Sequence, residues 1–123
     1  MKRFLLAAAV LALTTGVARA GDLYTNLYSN TLTITGSDGM KSTVLINQDM
    51  SWEQHFANGN VLKGTYAWKD PQTACFTVVT PPPKDPKMAT NCFGAQAVHA
   101  VGDTWTMNGA DGKPATLAIT AGR

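Results

Sequence analysis

"TLTITGSDGMKSTVLIN" runs from Thr31 to Asn47, and "TWTMNGADGKPATLAIT" runs from Thr104 to Thr120. Laid over each other at an offset of 73, without a gap, they share Thr31/Thr104, Thr33/Thr106, Gly36/Gly109, Asp38/Asp111, Gly39/Gly112, Thr43/Thr116 and Ile46/Ile119. In both, apolar residues alternate with threonines at a period of two, so one face is apolar and the other polar, as in a half-buried strand. In the middle, Gly36-Ser37-Asp38-Gly39 and Gly109-Ala110-Asp111-Gly112 supply the residues that tolerate tight turns. Each stretch therefore reads as a β-hairpin, once at each end of the chain. In a sheet that curls on itself, the first and last hairpins become neighbours with matching apolar faces inward. Chance likeness between two threonine-rich hairpins is the competing reading.

Between the two copies the same alternation continues. Trp52, Gln54 and Phe56, with Met50 ahead of them, alternate with Ser51, Glu53 and His55; after Asn58-Gly59-Asn60 come Leu62, Gly64, Tyr66 and Trp68. Lys69-Asp70-Pro71-Gln72 turns the chain again, Ala74 to Thr80 forms a strand around Cys75, and Thr90 to Phe93 forms one around Cys92. Prolines between Pro81 and Met88 lack ladder donors and exclude a strand there. The expectation is an all-β fold: a small antiparallel meander barrel of about eight strands, with a two-sheet sandwich as the alternative. Leu32, Ile34, Val44, Ile46, Trp52, Phe56, Tyr66, Trp68, Trp105, Met107, Leu117 and Ile119 form the expected interior. Segment 22–30, with Leu23, Tyr24, Leu27 and Tyr28, reads as a helical turn plugging a barrel mouth or as an irregular edge strand.

The first twenty residues have another role. Lys2 and Arg3 precede an apolar run from Phe4 to Leu13, and Ala18-Arg19-Ala20 has the small residues of a cleavage site. The run is too short for a stable membrane span. Residues 1–20 are therefore read as a signal peptide and 21–123 as one domain, periplasmic or secreted, with no transmembrane segment in the mature chain. Loss of Lys2, Arg3 and Arg19 leaves seven basic residues against eight acidic ones. The net charge falls from +2 to −1, which removes the electrostatic motive for a nucleic-acid partner. Cys75 and Cys92, two cysteines without CxxC spacing in an oxidising compartment, read as one disulfide worth roughly 3 kcal/mol.

Chemistry is sparse. Glu53 and His55 share an outward strand face and can support acid–base work or hold a metal, but no third ligand or nucleophile matches them, and an exposed polar face accounts for the pair. His99 stands elsewhere in the sequence. No catalytic motif occurs, the Asp-Gly turns lack a calcium loop's ligands, and no cofactor, metal or catalytic residue is assigned. Two binding readings remain. The proline-rich loop, with Pro81, Pro82, Pro83, Lys84 and Asp85 at its centre, is stiff and close to both cysteines, which suits an inhibitory or partner-docking loop as well as a plain connector. Alternatively Trp52, Tyr66, Trp68 and Trp105 line an aromatic interior that carries a small apolar ligand, or simply fill it. The readings are thus a non-enzymatic binding module for an unknown protein partner, a small-ligand carrier, or a structural envelope protein without catalytic role.

Gly64-Thr65-Tyr66-Ala67-Trp68-Lys69-Asp70, Cys75-Phe76-Thr77, Cys92-Phe93 after the proline-rich loop, and Val101-Gly102-Asp103-Thr104-Trp105 with Asp111-Gly112-Lys113 carry one further indication. Together they span most of the mature chain, which resembles a family of small exported bacterial β-proteins. The resemblance implies export and a β fold, and brings no activity with it.

Overall fold

The computed structural model describes residues 23–123; the signal peptide expected over residues 1–20 lies outside them. Eight strands follow in chain order: β1 Thr31–Thr35, β2 Lys41–Ile46, β3 Ser51–Phe56, β4 Val61–Asp70, β5 Thr73–Thr80, β6 Thr90–Phe93, β7 Thr104–Asn108 and β8 Pro114–Thr120. They pair antiparallel in one sheet of order β6-β5-β4-β3-β2-β1-β8-β7. This sheet curls into a half-barrel of the small-barrel type, so the sandwich alternative is set aside.

The repeated hairpins are indeed neighbours. β1 lies between β2 and β8, from Thr31 opposite Thr120 to Thr35 opposite Thr116. Their turns have the same wiring. Gly36 N–H donates to Met40 O at 2.9 Å, Gly39 N–H to Gly36 O at 2.9 Å, and Met40 N–H to Asp38 Oδ1 at 3.0 Å. The second copy repeats these bonds from Gly109 to Lys113 O, Gly112 to Gly109 O and Lys113 to Asp111 Oδ1, at 2.8, 3.0 and 2.9 Å. The turns at Asn47–Ser51 and Phe56–Asn60 use the identical set, with Asp49 and Asn58 as acceptors. In each, the residue after the Asp or Asn is left-handed: Gly39, Met50, Gly59 and Gly112, with φ of 84°, 72°, 91° and 78°. One turn design thus makes four hairpins, its short side chain accepting a backbone N–H two residues on. Met50, placed by its sequence phase at the head of an apolar strand face, is instead a turn residue, 37% exposed.

Strand polarity divides the half-barrel into two ends. The β1–β2, β3–β4 and β7–β8 turns and the β5–β6 loop share one end; the remaining connections and both ends of the described chain share the other. At that second end, segment 23–30 forms a short 3-10 turn followed by further turns, and buries Tyr24 and Leu27 in the core. It is the plug, and not an edge strand. Tyr24 Oη donates to Gln96 Oε1 at 2.9 Å, and Asn26 Nδ2 to His99 O at 2.8 Å. Arg123 ties it down from the C-terminal side, its guanidinium donating to Leu27 O, Asn30 O, Ile46 O and Asn47 Oδ1.

One seam stays open. β6 and β7 are the sheet's edges, with no strand between them among the described residues, so the curl is not closed by a complete ladder. The physical reason lies in β6, only four residues long, which starts after the proline-rich stretch and ends where the chain leaves as the irregular segment 94–103. That segment spans the gap through a few isolated bonds: Gln96 N–H donates to Gln72 O and Gly102 N–H to Ile119 O, both at 2.9 Å, and Ile119 N–H donates to Asp103 O at 3.2 Å.

Candidate functional site

The inside of the curl is packed toward the plug, where Leu32, Val44, Ile46, Trp52, Leu117 and Ile119 are buried, and opens toward the other end. An apolar cavity of about 600 Å³ opens at the end bearing the paired turns. Period-two alternation builds its walls: β1 contributes Leu32 and Ile34, β2 Val44 and Ile46, and β8 Leu117 and Ile119. Trp52, Gln54 and Phe56 come from β3, Leu62 from β4, Phe76 and Val78 from β5, Trp105 and Met107 from β7. Leu23, Tyr24 and Leu27 of the plug form its floor, and the turns around Asp38, Asn58 and Asp111 form its rim. A second space of about 420 Å³ lies along the open seam, and Asn91, Phe93 and Met107 line both.

The four aromatic residues expected to line the interior divide between two places. Trp52 and Trp105 reach the cavity; Tyr66 and Trp68 do not line it. Tyr66 and Trp68 pack instead against the plug, their rings 5.6 and 4.9 Å from that of Tyr24. Burial raises the Tyr24 and Tyr66 hydroxyls above the usual phenol range, and Tyr66 Oη donates to Asn47 O at 3.0 Å. Trp52 is buried, with Nε1 donating to Thr65 O at 2.9 Å. Trp105 is only partly buried: its indole lies parallel to the His99 imidazole, centroids 3.5 Å apart, with Asp103 Oδ2 at 4.0 Å from His99 Nδ1.

Most of the expected interior set faces inward, and the structure adds to it. Ala74, Phe76 and Val78 also point in, opposite Trp68, Tyr66 and Gly64. A signal for them exists in the sequence: Cys75 bridges to Cys92 directly across β5 and β6, on the outer face, which places its neighbours inside. That disulfide stands as expected from the sequence.

The proline-rich loop projects beside the mouth without lining the cavity. Pro81, Pro82, Lys84 and Asp85 are exposed and Pro83 is half-buried. A 3-10 turn, Pro86–Met88, gives it form, and Asp85 Oδ1 accepts the Lys87 N–H at 3.0 Å. The disulfide lies two opposed pairs below Thr77 and Thr90, whose hydroxyls meet at 2.9 Å, and Val78 N–H donates to Ala89 O beyond them.

Glu53 and His55 sit on the outer face of β3, Oε1 to Nε2 at 3.0 Å. That hydrogen bond holds the Glu53 carboxyl below the usual range. His99 lies on the cavity side, remote in role from the pair. Among the described residues no group of three His, Cys, Asp or Glu side chains is placed to hold a metal ion. Comparison with protein-family models, curated proteins and solved structures found no match to the chain.

Proposed function

We propose that this protein is an exported, non-enzymatic binding protein that carries a small apolar molecule inside its curled sheet. The observation that supports it is the open cavity of about 600 Å³, within the range of small-molecule sites and walled mainly by aliphatic and aromatic side chains. A core of this size that served packing alone would bring those side chains together, since protein interiors hold few voids larger than water. The disulfide fits an oxidising compartment, and no described helix is long and apolar enough to cross a membrane.

Titration with the neutral dye N-phenyl-1-naphthylamine tests this reading. One saturable site per chain is expected, with dye emission rising as it enters the cavity. Ile34→Trp, which fills part of the cavity wall, should abolish the site while leaving the thermal transition in place. Binding unaffected by that substitution would place the dye elsewhere and end the proposal.

A second reading rests on the loop: Val79 and Met88 are 54% and 68% exposed beside Pro81–Asp85, an apolar flank on an ordered projection. Capture of a protein partner through it would be lost when residues 81–87 are replaced by glycine and serine, whereas dye binding would survive.

A further inference from the structure

The wall of the cavity is not uniformly apolar. Ser42 and Gln54, in phase with Val44 and Trp52, form a polar pair on it, Gln54 Nε2 donating to Ser42 Oγ at 2.9 Å. Ser42 is 8% exposed, the one buried polar residue in the core of the described chain. The hairpin itself does not require this hydroxyl. At the offset of 73 residues, the place of Ser42 in the second copy is taken by Ala115, equally buried at 8%.

We infer that Ser42 and Gln54 are a hydrogen-bonding anchor for the ligand, and that the ligand is a neutral amphiphile bearing a hydroxyl or carbonyl group on an apolar body. This rests on the cavity reading above and narrows it. With one Gln54 donor used on Ser42, the pair retains the Ser42 hydroxyl proton as a donor and Gln54 Oε1 as an acceptor. A ligand hydroxyl can meet both.

The charge distribution argues for a neutral group. Below its rim the cavity lining carries no Asp, Glu, Lys or Arg side chain, and its one imidazole, His99, is stacked on Trp105. Asp38, Lys41, Asp111 and Lys113 lie at the rim, and both carboxylates accept turn N–H groups there. An ionised group drawn down to Ser42 would lose its water without meeting an opposite charge, which disfavours it strongly. A neutral hydroxyl left unmatched costs far less and here is matched.

The test uses one tail with three head groups. Dodecanol, dodecanoate and dodecyltrimethylammonium, each below its aggregation limit, compete with the bound naphthylamine dye at about pH 8, where the carboxylate is ionised. The expected result is displacement by dodecanol at a concentration at least tenfold below that of either charged analogue. Ser42→Ala, which copies the alanine of the second hairpin, and Gln54→Leu should each shrink that preference several-fold, with the dye's own affinity for each variant measured as the reference for the competition. A charged analogue that competes as well as the alcohol overturns the anchor and moves recognition to the rim lysines or aspartates. A preference unchanged in both variants overturns it too. Failure of the dye to bind the parent protein would instead remove the cavity reading, and the anchor with it.

Discussion

Gly64→Ala should be among the most damaging single-methyl additions in the chain. A Cβ built on Gly64 falls 1.8 Å from the Thr77 carbonyl oxygen, 2.9 Å from Thr77 C and 3.0 Å from Trp52 Nε1. Carbon and oxygen in weak contact sit roughly 3.3–3.6 Å apart, so β4 and β5 would have to part by about 1.5 Å. The obstacle is backbone, and no rotamer change relieves it. Gly64 opposes Val78 at a register shift in the β4–β5 ladder, and Trp52 Nε1 bonds to the carbonyl of the next residue, Thr65. Overpacking of about 1–3 kcal/mol, with one or two hydrogen bonds of about 1 kcal/mol each disturbed, brings the expected loss to about 2–5 kcal/mol. A domain of this size has only about 5–15 kcal/mol in total. Urea unfolding followed by tryptophan fluorescence, disulfide intact, reads the loss directly. Gly94→Ala is the control, because its new Cβ meets only Thr73 Oγ1 at 3.7 Å. A Gly64→Ala protein within about 1 kcal/mol of the parent would refute the close approach of β4 to β5.

Four further expectations concern other parts of the fold. Met50→Gly should stabilise by about 0.5–1 kcal/mol, because it relieves a non-glycine residue at φ 72° in a turn whose three counterparts have glycine; a lower urea midpoint would count against the shared turn design. Trp52→Ala should cost about 3–5 kcal/mol and Trp105→Ala clearly less, since the first is buried and the second only partly so; equal losses in denaturant titrations would contradict that difference. Reduction of Cys75–Cys92, which closes 17 residues of sequence separation, should lower stability by about 3 kcal/mol; mass spectrometry should find two hydrogens missing before reduction. Hydrogen bonds from Ser51, His55 and Gln72 depress the carboxyls of Asp49, Glu53 and Asp70. Their stabilisation is present above the unfolded values near pH 4 and is lost as pH falls through the lower folded ones. Asp49→Ala should therefore show a shallower loss of stability below about pH 4, and an unchanged slope would sink that assignment.

Much of this architecture could be read from alternation and turn residues. The hairpin turns at Asp38, Asn58 and Asp111 and the disulfide are legible because each depends on a few adjacent residues, whereas the Asp49 turn hides behind the apolar phase of Met50, and segment 22–30 fits a plug as well as an edge strand. Less legible were features set by sheet curvature. Whether twelve inward side chains meet or leave a hollow depends on how tightly the sheet coils, and period two does not encode that. The close approach at Gly64 and the departure of Tyr66 and Trp68 toward the plug have the same origin. The unclosed β6–β7 seam follows from local causes, namely four prolines ahead of β6 and its short length, yet those causes limit a strand without revealing which edges are left without partners. Gln54 and Ser42 were visible in phase with apolar neighbours, but their mutual bond required the register of β2 against β3.

The pairing of β1 with β8 has a consequence for how the chain assembles. β1 through β6 each lie beside their sequence neighbours, so this six-strand meander can form from local contacts alone. The outer edge of β1 then waits for a strand more than eighty residues away, as Thr31 does for Thr120. Closing such a long loop is slow relative to local hairpin formation. The C-terminal hairpin is therefore expected to dock last and to undock first, and its two strands form a flank of the cavity. If the cavity carries a bulky ligand, as proposed, entry need not pass the rim: it can follow the transient swing of one hairpin, held by one inter-hairpin ladder, the bonds of Gly122 to Asn30 and Thr31, and the clasp of Arg123.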